Sequence, residues 1–83
     1  MEEWQDWKTG EPKALGELWT LRKRTHEVSC VLVGHPVGSE LRLLIDGRFE
    51  RSQAFREGAK AVVQAAEWRE LFEAKGWTLK APA

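Results

Sequence analysis

LRLLIDGRFER, residues 41–51, places the pair Asp46-Gly47 between two runs of β-prone residues. A two-residue type I′ turn needs positive φ at both central positions, and Asp-Gly is the pair that predicts it most strongly. Such a turn fixes the register of the two strands that it joins. The predicted facing pairs are Ile45 with Arg48, Leu44 with Phe49, Leu43 with Glu50, and Arg42 with Arg51.

Length and composition predict one small domain. At 83 residues, the chain lies near the lower limit for folding on an apolar core alone. A single cysteine, Cys30, excludes an internal disulfide, so packing or self-association must supply stability. The sequence shows no signal-peptide pattern and no apolar run long enough to cross a bilayer. We therefore expect a cytoplasmic protein that makes no membrane contact.

The first two strands follow from β-branched composition and turn residues. Residues 18–24 and 27–33 predict antiparallel strands joined by a tight turn at Thr25-His26. Residues 34–39 predict a loop, because a proline there removes a ladder donor and two glycines relax φ. The Asp-Gly hairpin supplies the third and fourth strands.

From about Ala54 to Lys75 the apolar period becomes that of an amphipathic helix. Ser52 is the predicted N-cap and Gly76 the predicted residue after the C-cap. Trp77 is expected to fold back on the sheet. The apolar stripe contains Phe55, Ala59, Val62, Ala65, Ala66, Trp68 and Phe72. The predicted fold class is α+β, a four-stranded antiparallel meander sheet with the C-terminal helix packed on one face.

The predicted organisation of the chain has three parts. Residues 1–16 are expected to form a flexible N-terminal tail, because their glycines and prolines show no clear periodicity. Residues 17–77 are expected to form the single ββββα domain, and residues 78–83 a C-terminal tail.

One face of the sheet should receive the helix. The Thr25-His26 turn would pair Trp19 with Leu32 and Leu21 with Cys30 on that face, together with the odd-numbered aliphatic residues of the third strand. Glu50 and Arg69 are the misfits in this apolar layer. We expect these two to form an ion pair, since a carboxylate entering an apolar layer needs a partner. Such a pair would have a structural role.

The other side of the sheet, here called the open face, is left uncovered because one helix cannot cover both sides. Arg42 and Arg51 are predicted to lie opposite each other, which is unfavourable unless an anion, a partner carboxylate or solvent relieves it. Apolar side chains lie beside them, and arginines around an apolar centre are typical of interfaces. The candidate binding residues are Arg22, Arg24, Val31, Val33, Arg42, Leu44, Phe49 and Arg51.

Three interpretations of the open face compete. In the first, the protein is a non-catalytic binding module that forms a homodimer or binds another protein through this face. The alternative is binding of single-stranded RNA or DNA, with arginines on phosphates and Phe49 stacked on a base. The net charge of zero argues against strong sequence-independent nucleic-acid binding. In the third interpretation, the segment with Trp4 and Trp7 covers the face and nothing binds.

The chain lacks the residue patterns of an enzyme or a metal site. His26, Cys30 and His35 are the only imidazole and thiol groups, whereas zinc sites usually need four such ligands at short spacings. Cys30 should point into the core while the two histidines lie in loops at opposite ends of the second strand, so no Cys-His nucleophile is expected. We expect no catalytic residue, no metal, no cofactor and no small-molecule substrate.

A resemblance covers residues 17–77. The motifs that carry it are Glu40-Leu41-Arg42-Leu43 with Asp46-Gly47, then Arg51-Ser52-Gln53, Glu67-Trp68-Arg69 and Lys75-Gly76-Trp77. On these motifs the chain resembles short bacterial proteins of no assigned activity. In topology alone, the order of four strands and a helix is similar to PUR-repeat domains and single-strand-binding coactivators. Those proteins use curved sheets and dimerise, and the likeness implies no particular site residue here.

Overall fold

The computed structural model describes residues 13–80 as one antiparallel sheet with a helix packed on it. The elements are β1 (Lys13–Lys23), β2 (His26–His35), β3 (Gly38–Ile45), β4 (Arg48–Phe55), α1 (Gly58–Ala74) and β5 (Thr78–Leu79). The strand order is β4-β3-β2-β1-β5. The α+β class and the four-strand meander are therefore confirmed, and a short fifth strand extends the sheet beside β1.

The sheet includes residues that the sequence assigned to tails. β1 begins at Lys13, which pairs with Gly34, so residues 13–16 belong to the sheet rather than to the predicted tail. Residues 78–79 form β5 and pair with Leu21 and Arg22. The remaining parts of the two predicted tails, residues 1–12 and 81–83, lie outside the described residues. The predicted loop at residues 34–39 shortens to a turn at residues 36–37.

The turn between β1 and β2 lies one residue earlier than predicted. Lys23 pairs with His26, so the turn residues are Arg24 and Thr25, and Arg24 adopts a φ of 57°. This change moves the register by two residues, and the predicted pairs Trp19–Leu32 and Leu21–Cys30 are wrong. The observed pairs are Trp19 with Cys30 and Leu21 with Val28. Because the side-chain period of a strand is two, every residue keeps its predicted face.

The Asp46-Gly47 turn has the expected geometry, with φ of 52° and 79°. The pairs Ile45–Arg48 and Leu44–Phe49 are confirmed, but a β-bulge follows and leaves Glu50 without a facing residue. The predicted pairs Leu43–Glu50 and Arg42–Arg51 are therefore wrong. Beyond the bulge, Leu43 pairs with Arg51 and Arg42 with Ser52. One extra residue in a strand turns the following side chains to the other face.

The core lies between the sheet and α1. The predicted parity of β3 is confirmed, because Leu41 and Leu43 are buried in the core while Leu44 is not part of it. The helix contributes small side chains at Ala61 and Ala65, so its backbone lies close to the sheet. The Nε1–H of Trp19 donates a hydrogen bond to the Ala65 carbonyl at 2.9 Å. The core residues are Trp19, Leu21, Val28, Cys30, Leu41, Leu43, Ala61, Ala65 and Trp68.

The start of α1 differs from the prediction. The helix begins at Gly58 rather than Ala54, and Ser52, the predicted N-cap, lies in β4. Glu57 occupies the N-cap position and makes no side-chain capping bond. The apolar stripe also differs, because Val62 is 53% exposed and its place is taken by Ala61. Ala59 and Ala66, also assigned to the stripe, are exposed.

The end of α1 follows the prediction. Gly76 has a φ of 96°, its N–H donates to the Glu73 carbonyl, and the Trp77 N–H donates to the Phe72 carbonyl. This pair of bonds is a Schellman motif. Trp77 then folds back and packs edge-on against Phe72, with ring centres 5.6 Å apart. Within residues 13–80, no helix combines the length and the apolar character needed to cross a membrane.

Candidate binding surface on the open face

The structure brings most of the candidate residues together on the open face. Their register partners place them there, on the side opposite the buried Leu21, Cys30 and Leu43. The candidates found on this face are Arg22, Val31, Val33, Arg42, Leu44 and Phe49. The alternation of side chains along the strands therefore follows the prediction. Two of the predicted arginines do not lie on the open face.

Arg24 and Arg51 are the two candidates that do not lie on the open face. Arg24 is a turn residue, since the β1–β2 turn forms one position earlier than expected. Arg51 faces α1 because of the bulge at Glu50, and its guanidinium carbon lies 5.5 Å from the centre of the Trp68 ring. The predicted repulsion between Arg42 and Arg51 is therefore absent.

The exposed apolar surface of the open face is concentrated at one hairpin. Phe49 is 61% exposed, and its facing partner Leu44 is partly exposed. Val31 is also partly exposed. Val33, which was expected to contribute to the patch, is only 3% exposed and offers no contact area. The apolar patch thus consists of Val31, Leu44 and Phe49.

A first ion-pair cluster lies at the end of the open face beside the β1–β2 turn. The Arg22 guanidinium is 3.0 Å from the Glu27 carboxylate, and the Lys80 ammonium is 3.1 Å from the same carboxylate. Hydrogen bonds from Lys80 and then Arg22 lower the pKa of the Glu27 carboxyl from its ordinary value. Arg22 therefore shares the Glu27 carboxylate with Lys80.

A second cluster lies at the opposite end of β2 and β3. The Glu40 carboxylate is 2.7 Å from Nε2 of His35 and 3.2 Å from the Arg42 guanidinium. Burial raises the pKa of the Glu40 carboxyl, but hydrogen bonds from Arg42, His35 and Ser52 outweigh it, so the pKa lies below its ordinary value. Arg42 Nε is buried without a hydrogen-bond partner among the described residues.

The acidic partners of the open-face arginines were not predicted from the sequence. Glu40 and Arg42 are two residues apart in one strand, and such residues lie on the same face. This spacing alone could have predicted their pairing. Glu27 could be matched with Arg22 only after the turn at residues 24–25 was known, because Arg22 pairs with Glu27 in the observed register.

The predicted Glu50–Arg69 ion pair is wrong. Arg69 Nε donates to the Glu73 carboxylate at 3.1 Å, one helical turn further along α1. Glu50 occupies the bulge and is exposed, so it does not enter the apolar layer. The short spacing of four residues within a helix makes the local partner the better one.

Asp46 links the two hairpins. Its carboxylate accepts a hydrogen bond from the Glu27 N–H at 2.9 Å and lies 2.7 Å from His26 Nδ1. Its own N–H donates to the Glu27 carbonyl at 2.8 Å. The Glu27 N–H, followed by His26, lowers the pKa of the Asp46 carboxyl. Asp46 therefore has a structural role beyond its tolerance of positive φ.

A groove of about 480 Å³ lies beside the second cluster, between the β2–β3 turn and the end of β4. Its walls combine apolar and polar side chains. The lining residues are His35, Pro36, Val37, Gly38, Ser39, Glu40, Ser52, Ala54, Phe55 and Arg56. Over residues 13–80, no cluster of three or more His, Cys, Asp or Glu side chains is placed to hold a metal ion.

Comparison with known proteins gives no match to a family model, to a curated protein or to a solved structure. The resemblance to short bacterial proteins and to PUR-repeat domains therefore stays a prediction.

Proposed function

We propose that this protein is a small, non-catalytic binding module that associates with protein through its open face, in the first place with the same face of a second copy. The proposed location is the cytoplasm, because a lone buried thiol suits a reducing compartment. Burial raises the pKa of the Cys30 thiol to about 11, which favours a structural cysteine over a nucleophile.

The exposure of the Leu44–Phe49 pair carries this proposal. These two side chains face each other across β3 and β4, and α1 covers the opposite side of the sheet. A cross-strand apolar pair in water gains roughly 1.5–3 kcal/mol per side chain when a partner buries it. Phe49 retains 61% of its exposure in the single chain, so most of that gain is still available.

The charges of the open face favour a protein partner over a nucleic acid. Arg22 is paired with Glu27, and Arg42 is paired with Glu40. A phosphate would have to displace these carboxylates or lie beside them, which weakens its attraction. Both signs of charge lie on the same face, so two copies can approach without a single-sign field opposing them.

The test measures the mass of the protein in solution by light scattering, at low and at high salt. We expect wild type to associate at both salt concentrations, because apolar contacts are not screened. The double variant Leu44→Ser/Phe49→Ser should halve the mass. The matched control is Val62→Ser/Val63→Ser, since both valines are more than half exposed on α1, away from the open face. The control should keep the mass of wild type.

Circular dichroism of the same samples shows whether each variant is folded. A folded Leu44→Ser/Phe49→Ser variant that keeps the wild-type mass would contradict the proposal. Equal loss of mass in the control variant would do the same. A wild-type monomer that shifts a labelled single-stranded oligonucleotide at low salt would support the nucleic-acid alternative instead.

A further inference from the structure

The outer edge of β4 is an unprotected strand edge. β4 stands at one end of the sheet order, so its outward backbone N–H and C=O groups have no strand partner within residues 13–80. Residues 48–54 are all exposed. We propose that a second copy of this chain pairs with this edge in antiparallel fashion, which forms one continuous sheet across a two-fold axis.

The rest of the sheet boundary carries the features that natural proteins use to block such pairing. At the opposite side of the sheet, β1 has two register shifts relative to β2. The short strand β5 pairs with the end of β1 at Leu21 and Arg22. The first half of β4 contains Arg48 and the bulge at Glu50. Charges and bulges both discourage edge-to-edge pairing. The segment Ser52–Phe55 contains neither a charge nor a proline nor a bulge.

The regular part of β4 defines the register of the pairing. It extends from Arg51, directly after the bulge, to Phe55 at the end of the strand, and its centre is Gln53. A two-fold axis through this centre places Gln53 opposite its own copy. The other facing pairs across the axis are Ser52 with Ala54 and Arg51 with Phe55.

This register is complementary in charge and in face. Among Arg51–Phe55 only Arg51 is charged, and it faces Phe55 of the other copy, so no like charges face each other directly. Just beyond the ladder, Glu50 of one copy and Arg56 of the other lie at the same end of the contact and have opposite charges. Arg51, Gln53 and Phe55 all lie on the helix side of the sheet, so the facing residues point the same way in both copies. The two open faces then lie side by side on one surface.

The edge contact is independent of the open-face contact. The edge axis is perpendicular to the sheet, whereas stacking of two open faces uses an axis in the plane of the sheet. If both contacts form and their axes intersect, four copies close into an assembly with three perpendicular two-fold axes. If only the edge contact forms, the assembly is a dimer.

A cysteine at the axis tests the register. Directly facing residues in an antiparallel pair have Cβ atoms about 4.5–5.5 Å apart, which small backbone movements bring within disulfide range. Gln53→Cys should therefore form a covalent dimer under a mild oxidant. The native Cys30 is fully buried and gives little background. The matched control, Val63→Cys, places an exposed thiol on α1 and should stay uncrosslinked.

The facing pair beside the axis gives a second register measurement. A mixture of Ser52→Cys and Ala54→Cys proteins should crosslink several-fold more than either protein alone, since these residues face each other only between copies. A Gln53→Cys protein that stays monomeric, or that crosslinks no more than Val63→Cys, would overturn the proposal. If the mixture crosslinks no more than either protein alone, the proposed register of the edge pairing would be wrong.

A charge exchange tests the contact without a covalent bond. Gln53→Lys and Gln53→Glu should each halve the mass at low salt, because each places like charges at the axis. Mixing the two proteins should restore the association, and Gln53→Thr should leave it unchanged. All of these are made in the Leu44→Ser/Phe49→Ser background, so that failure of the open-face proposal does not affect the result. A mixture that stays monomeric would contradict edge pairing.

Discussion

The guanidinium carbon of Arg51 lies 5.5 Å from the centre of the Trp68 ring, on the side of the sheet that carries α1. The bulge at Glu50 is the cause, since it turns Arg51 away from the open face and opposite Leu43. A cation above an indole ring is attracted by the electron density of the ring. An arginine that the sequence assigned to a binding surface therefore stabilises the fold.

Arg51→Ala should lower the free energy of unfolding by about 1 kcal/mol, because it removes this cation–π contact. The matched control is Arg48→Ala, an exposed arginine of the same strand, which should change stability by no more than about 0.5 kcal/mol. Urea unfolding followed by tryptophan fluorescence measures both. Equal effects in the two variants would contradict a specific contact with Trp68.

Trp19→Phe should lower the free energy of unfolding by about 2 kcal/mol, because it removes buried volume and the hydrogen bond to the Ala65 carbonyl. Trp77→Phe makes the same change in a side chain that is only partly buried, and it should cost about half as much. Thermal unfolding measured by circular dichroism compares the two. A larger loss for Trp77→Phe would argue against the role of the Trp19 hydrogen bond.

Asp46→Ala should lower the stability of the protein, because alanine is strained at positive φ and cannot accept the hydrogen bond from the Glu27 N–H. Asp46→Asn should cost less, since asparagine tolerates this conformation and keeps an acceptor oxygen. Denaturant midpoints of the two variants give the comparison. If asparagine and alanine are equally destabilising, loss of the carboxylate charge, rather than the turn geometry, would be the main cause of the lower stability.

Cys30 should be inert in the folded protein. Its side chain is fully buried, and burial raises the pKa of its thiol to about 11. The thiolate, which is the reactive form, is therefore scarce at pH 8. We expect an aromatic disulfide reagent to label Cys30 only at the rate of unfolding, and at once in denaturant. Rapid labelling of the native protein would show that this part of the core opens.

Acid should destabilise the protein through Glu40 and Asp46. Both carboxyls have a pKa below the ordinary value, so the unfolded chain binds more protons than the folded one as the pH falls through about 4. The stabilisation from these two carboxylates is therefore fully present above the ordinary carboxyl pKa. It is lost as the pH falls through their lowered pKa values. Glu40→Gln should flatten this dependence, whereas Glu67→Gln, on the exposed side of α1, should leave it unchanged.

Two parts of the fold were predictable because a local backbone requirement shows in the sequence. Asp46-Gly47 can adopt positive φ, so the parity of β3 and its apolar side toward α1 followed from this turn. Gly76 similarly predicted the end of α1 and the return of Trp77. In both places a residue with unusual backbone freedom marks the position.

Other features of the fold had no such signal in the sequence. Arg24 adopts a positive φ that arginine seldom takes, so the β1–β2 turn was placed one residue late. The bulge at Glu50 involves no glycine, and it moved Arg51 out of the candidate site. Neither position is occupied by glycine or asparagine, so the local sequence gives no signal for either feature. The open face itself was predictable because two-residue errors in register preserve the alternation of side chains.

The irregular β1 strand also limits how far the sheet can spread. A flat ladder with two receptive borders could add copies without end, as in a fibril. Here the two register shifts of β1 distort one border, while β4 is regular only from Arg51 to Phe55. If two copies pair through β4 as proposed, each outer border of the joined sheet is the distorted β1 side, which disfavours further lateral growth.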